Sequence, residues 1–105
     1  MPNLTKREIV LKVAEETPSL RQAEVVSIIQ KTLDHITDAL AKGQNIEIRN
    51  FGVFEVVLRR SKPGRNPRRP EVDVIIPARA AVRFSAGKVM RERVLHLTEK
   101  LKNKK

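Results

Sequence analysis

The chain has no cysteine, which excludes a disulfide framework and any thiolate metal site and fits a reducing compartment. Long apolar runs are missing too. None approaches the roughly 18 residues of a membrane span, and the opening MPNLTKRE lacks the apolar stretch of a signal peptide. The expectation is a soluble cytoplasmic protein with no membrane contact. The parts of an enzyme are also absent: there is no glycine-rich phosphate loop, no carboxylate cluster after Glu55, and no serine near a histidine at a recognisable turn. His35 and His96 each fall on an expected helix without a second ligand nearby, so neither a metal, a cofactor nor a small-molecule substrate is expected. Aromatic side chains are limited to Phe51, Phe54 and Phe84, which lie beside glycines and read as core rather than as a surface on which bases stack.

What the chain does have is positive charge in one place. Residues 1–58 carry seven Lys/Arg against eight Asp/Glu, a balance of −1, while residues 59–105 carry fifteen against four, a balance of +11. A field concentrated in this way attracts polyanions, and nucleic acid is the commonest of them. At 105 residues a single domain with a modest core is expected, to which a partner subunit could add.

Apolar periodicity orders the elements. Thr5 and Glu8 form a helix-start signature, with Leu4 placed to pack on Ile9, and the first helix should end near Glu16. Thr17-Pro18-Ser19 breaks it, and Thr17 or Ser19 can cap a second helix from about Leu20 to Lys42. Gly43 stops that helix. Its stripe of Val25, Ile29, Leu33, Ile36 and Leu40 is widened by Val26, Ile28 and Ala39, as in a helix clasped from more than one side in a dimer. The period then changes to two: Ile46 and Ile48, then Phe54, Val56 and Leu58, then Val72, Val74 and Ile76 predict three strands. The second and third of these should pair as a long antiparallel ribbon. A last amphipathic helix, from near Ser85-Ala86-Gly87, carries Met90, Val94, Leu97 and Leu101 and ends in a basic tail, residues 102–105.

Between the second and third strands lies RRSKPGRNPRRP, residues 59–70, with six cations, three prolines and no acid. Alone, it could be an extended linker. Between two alternating strands it reads as a hairpin tip. Arg59, Arg60, Lys62, Arg65, Arg68 and Arg69 can neutralise phosphates or enter a narrow minor groove. Pro67 offers a rigid apolar face with no amide to satisfy, as a wedge between base pairs requires, while Gly64 permits a turn and Asn66 can reach base edges. Arg79, Lys88 and Arg91, in the flanking segment and last helix, complete the candidate DNA-binding set.

Ile46-Glu47-Ile48-Arg49-Asn50-Phe51-Gly52-Val53-Phe54, then Gly64-Arg65-Asn66-Pro67, Pro77-Ala78, Phe84 and Gly87-Lys88 resemble the HU and integration host factor family of bacterial DNA-bending proteins over nearly the whole chain. The resemblance implies an α+β intertwined dimer with a helical body, a short antiparallel sheet and one protruding β-ribbon arm per subunit. Two arms embrace double-stranded DNA and insert their prolines to kink it; minor-groove wedging is a known habit of this family. On this reading the body spans residues 1–58 and 77–101 and the arm residues 59–76. The partner is double-stranded DNA, the assembly a homodimer or a heterodimer with a paralogue, and the place of action the bacterial nucleoid. Site-specific binding in the manner of integration host factor is one alternative, and a small basic RNA-binding protein is another.

The chain departs from the family pattern at three points. Asn50 stands where glycine is usual, and asparagine also tolerates positive φ. Val57 replaces a position that is often basic. Between Pro67 and Phe84 the chain is one residue longer than usual, with Pro70 near an expected turn glycine, so a bulge in the arm is expected.

Overall fold

The computed structural model describes residues 3–66 and 69–103, in the order α1 (Lys6–Glu16), α2 (Gln22–Ala41), β1 (Ile46–Ile48), β2 (Gly52–Arg59), β3 (Lys62–Asn66), β4 (Arg69–Ile76), β5 (Arg79–Ala86), α3 (Lys88–Leu95) and α4 (Thr98–Lys102). The chain divides into two compact units, Met1–Asp38 and Ala39–Lys105. No helix among the described residues is long and apolar enough to cross a membrane.

In the first unit, Thr5 caps α1 by accepting from the amide of Glu8 at 3.3 Å, and its hydroxyl donates to the Glu8 carboxylate at 3.1 Å. The two side chains thus close the first turn on each other. Leu4 and Ile9 both remain exposed, so the expected apolar staple gives little burial. Neither Thr17 nor Ser19 caps α2. The Thr17 carbonyl instead closes a turn with the amide of Leu20, and the carboxylate of Glu24 accepts from the amide of Arg21 at 2.8 Å. A glutamate three residues inside a helix can satisfy a free amide there as a capping hydroxyl would, which moves the start to Gln22. Lys6 donates to Gln30, and Gln30 to Asp34, joining α1 to α2 through polar side chains. Val10 and Val25 are the only buried apolar side chains among the described residues.

The second unit begins at the end of α2. Gly43, at φ 86°, donates to Leu40, and Gln44 donates to Ala39, so the left-handed glycine turns the chain and satisfies the last carbonyls. β1 then pairs with β2 from Ile48↔Gly52 to Ile46↔Phe54. Between them Asn50 takes φ 66°, as expected of an asparagine in a glycine's place, and the amide of Phe51 donates to Ile48. Asn45 extends this edge through its side chain, which accepts from the amide of Val56 at 2.9 Å.

The strand pairing differs from the sequence expectation. Among the described residues five strands form, not three, in a three-stranded sheet ordered β1-β2-β5 and a separate ribbon β3-β4. β2 does not pair with the Val72–Ile76 segment; it pairs over its full length with β5, whose sequence RAAVRFSA gave no strand signal. Three alanines, two arginines and a serine dilute the β-branched and aromatic bulk of Val82 and Phe84, so cross-strand pairing decides the conformation. The last helix is also interrupted: α3 stops at Leu95, His96 and Leu97 form a turn, and α4 resumes at Thr98, whose hydroxyl donates to the Leu95 carbonyl at 2.6 Å. A threonine hydroxyl bonded to a nearby carbonyl competes with the helical ladder at that point.

Candidate nucleic-acid interface

The β2–β5 register sorts side chains by parity onto two faces. One face carries Phe54, Val56 and Leu58 opposite Phe84, Val82 and Ala80; the other carries Glu55, Val57 and Arg59 opposite Arg83, Ala81 and Arg79. On the apolar face Phe84 lies 5.8 Å from Phe51 and 4.8 Å from Phe54, ring centre to ring centre, in tilted arrangements that suit aromatic quadrupoles. Gly52 makes this cluster possible, because a Cβ there would lie 2.5 Å from the Phe84 ring. The face is nonetheless open, with Leu58 72%, Val82 53% and Phe84 42% exposed.

The charged face leads to the arm. Glu55 accepts from Arg83 at 3.1 Å, and four residues further along, Arg59 stands opposite Arg79 as the last pair of the sheet. Arg59, Arg60, Arg79 and Arg83, with Ser61, line a hollow of about 420 Å³. Among the described residues only Arg83 of these four forms an ion pair. Like charges set directly opposite cost stability, so guanidinium groups gathered around one hollow form a site suited to an anion. Val57, the residue in an often-basic place, lies on this same face opposite Ala81, which leaves the positive charge concentrated at the strand ends.

Beyond Ser61 the ribbon begins. Its register is regular from Lys62↔Ile76 to Arg65↔Asp73 and then shifts to Asn66↔Arg69, leaving residues 70 to 72 unmatched on β4. Where a bulge is expected the ladder is irregular, and the unmatched residues include Pro70, which lacks the amide a ladder would require. Lys62, Arg65 and Asn66 are strand residues and not part of a loose tip, and Arg69 opens the return strand. The tip is accordingly shorter than the dodecamer suggested. Pro67 and Arg68, the expected wedge and its neighbour, lie outside the described residues.

The candidate residues do not form one cluster. Arg59, Arg60 and Arg79 meet at the root of the ribbon, joined by Arg83, which sequence reasoning missed. Arg79 and Arg83 share a parity with Ala81 between them, a signal that could have been read had β5 been recognised as a strand. Lys88 and Arg91 sit on α3, past the other end of β5. The eight residues of β5 take seven steps of about 3.4 Å, so Ala86 lies roughly 24 Å along the strand from Arg79, and α3 starts two residues beyond it. There the amide of Gly87 donates to Phe51 at 2.8 Å, and Met90, Arg93 and Val94 line an apolar hollow with Asn50 and Phe51.

Comparison with known proteins agrees with this arrangement. Residues 4–95 match the family model described as bacterial DNA-binding protein. The chain is 42% identical over 91 residues to the probable DNA-binding protein HU of Chlamydia pneumoniae and 41% identical over 91 residues to that of Chlamydia trachomatis, in both cases covering 87% of this chain and 90% of the relative. Among solved structures, an Anabaena HU–DNA cocrystal structure superposes with a TM-score of 0.79 at 34% identity, covering 86% of this chain and 96% of that one. A valine-to-isoleucine mutant of HU from Thermotoga maritima gives a TM-score of 0.60 at 30% identity, with 86% and 97% covered. The α+β fold is that of HU, and the chain belongs to the bacterial DNA-binding protein family.

Proposed function

We propose that the chain acts as an architectural protein of the bacterial nucleoid, a dimer that binds and bends double-stranded DNA through the minor groove and performs no chemistry. The observation that carries this reading is the opposed Arg59–Arg79 pair at the root of a basic β-ribbon, in a chain of the HU family. Repulsion between these groups in the free protein is relieved when a phosphate sits between them, so part of the binding energy is set up by the fold. Arg60 widens the grip, and Lys62, Arg65, Asn66, Arg68 and Arg69 carry it along the arm. Pro67 is the wedge that replaces base stacking at the kink, and Lys88 and Arg91 meet phosphates outside the arm. Residues 1–105 act as a single DNA-binding domain, with 59–76 as its arm.

The open apolar face of the sheet supports a second copy of the chain as the missing part of the core. Phe84, Val82 and Leu58 together leave too much apolar surface in water for a stable small monomer. Contacts made mainly to phosphate, together with a wedge, favour binding that follows DNA shape and deformability rather than sequence. The test is competition at one salt concentration among duplex DNA, duplex RNA and an acidic polypeptide, followed by titration of salt on the preferred ligand. Preference for duplex DNA with a log-log salt slope of about −5 to −9, as roughly 6 to 10 neutralised phosphates require, is expected. Preference for RNA, or a slope near zero, would overturn the reading.

A further inference from the structure

The family match ends at Leu95, and the ten residues after it hold four lysines against one glutamate, a balance of +3 beside the +4 of the eighteen-residue arm. Lys104 and Lys105 lie outside the described residues, and Lys100 and Lys102 have little to do within the fold. Lys102 approaches Glu99 only at 3.9 Å with both side chains largely exposed, and Lys100 forms no ion pair among the described residues. Cations do favour the negative end of a helix, but α4 has five residues and its weak terminal field accounts for one or two lysines, not four.

The segment is also separated from the arm. Val94 at the end of α3 still lines the hollow beside Asn50 and Phe51, so α3 stays at the far end of the sheet and does not run back toward Arg59 and Arg79. The turn at His96–Leu97 starts α4 from that end. β5 spans on the order of 24 Å from Arg79 to Ala86, more than two screening lengths at physiological salt, so a polyanion met at the far end of the sheet is a different stretch from one held at the arm root. We propose that the segment after Leu95, through Lys100, Lys102, Lys104 and Lys105, is a second phosphate-binding element that engages duplex DNA outside the length gripped by the arms. This rests on the DNA-bending function and extends it to a longer footprint.

The test compares Lys100→Gln/Lys102→Gln/Lys104→Gln/Lys105→Gln with the parent on a short duplex that only spans the arms and on one several helical turns longer, each over a range of salt. On the long duplex the slope should become shallower by up to about 3.6, from four lost phosphate contacts, and on the short duplex it should hardly change. Lys→Arg at the same four positions should restore the parent slope. Lys12→Gln/Lys31→Gln/Lys42→Gln, which also lowers net charge, should leave the slope nearly unchanged on both lengths. An unchanged slope for the tail variant on the long duplex overturns the proposal, as does an equal loss on both lengths or an equal loss from the control. Arg59→Gln/Arg60→Gln in the same assay reports separately on the arm: if it too has no effect, the DNA-binding reading itself fails.

Discussion

Arg59 and Arg79 face each other as the final pair of the β2–β5 ladder, where the chain leaves the sheet for the β3–β4 ribbon. A sheet selected for stability alone would place an acid opposite one of them, as Glu55 lies opposite Arg83 four residues away. Arg79→Gln should therefore stabilise the free protein by about 0.2–1 kcal/mol and make the DNA salt slope shallower by about 0.9. Urea unfolding and salt titration on the same preparation measure both. A less stable variant with the parent's slope would mean that Arg79 is a packing residue.

Gly52 lies under the Phe84 ring, and an added methyl group would meet the ring at 2.5 Å and the Ser85 carbonyl oxygen at 2.7 Å. Gly52→Ala should cost about 1–3 kcal/mol, because the carbonyl belongs to the paired strand and cannot easily move. Denaturant titration checks this, and a change within 0.5 kcal/mol, on the order of ordinary surface substitutions, would show that the β2–β5 pairing opens more readily than the register implies.

Asn50 takes a left-handed conformation in the turn between β1 and β2. Asn50→Gly should change stability by no more than a few tenths of a kcal/mol, whereas Asn50→Ala should lose about 1 kcal/mol, since Cβ meets the following carbonyl without a side-chain amide to compensate. Equal thermal midpoints for the two variants would contradict a left-handed turn at this position.

Dimerisation should be inseparable from folding. With Phe84, Val82 and Leu58 left open on one face of the sheet, the thermal midpoint is expected to rise with protein concentration, and sedimentation should give a dimer mass at low micromolar concentration. A concentration-independent midpoint with a monomer mass would remove the second copy from the account.

The helices and first two strands were legible in the sequence because each carries its own punctuation: Thr5 with Glu8, Pro18, Gly43, and the switch from a period near four to a period of two at Ile46. The basic arm was legible from charge and proline content. What sequence reasoning missed was non-local. β5 is a strand because β2 pairs with it residue by residue, and nothing within RAAVRFSA announces that partner. Assigning β2 to the wrong neighbour then hid Arg83 and separated Arg79 from Arg59, the pair that forms the root of the arm. Chain length and Pro70 point to an irregular arm, and the register shift between Arg65 and Asn66 leaves the unmatched residues on β4. α3 and α4 looked like one helix because Met90, Val94, Leu97 and Leu101 keep their spacing across a break that periodicity does not register.

The central claim, that basic arms hold the duplex while Pro67 helps to kink it, is tested most directly by energy transfer across a short duplex labelled at both ends, with the parent protein and Pro67→Ala side by side. The wedge carries no charge and unstacking a base step costs a few kcal/mol, so Pro67→Ala should keep the parent's salt slope but bring the labelled ends less close together. It should also lose preference for nicked or pre-bent over intact duplex. Unchanged energy transfer when the parent binds would contradict bending itself, and a Pro67→Ala complex bent as sharply as the parent's would reduce the arm to a phosphate clamp.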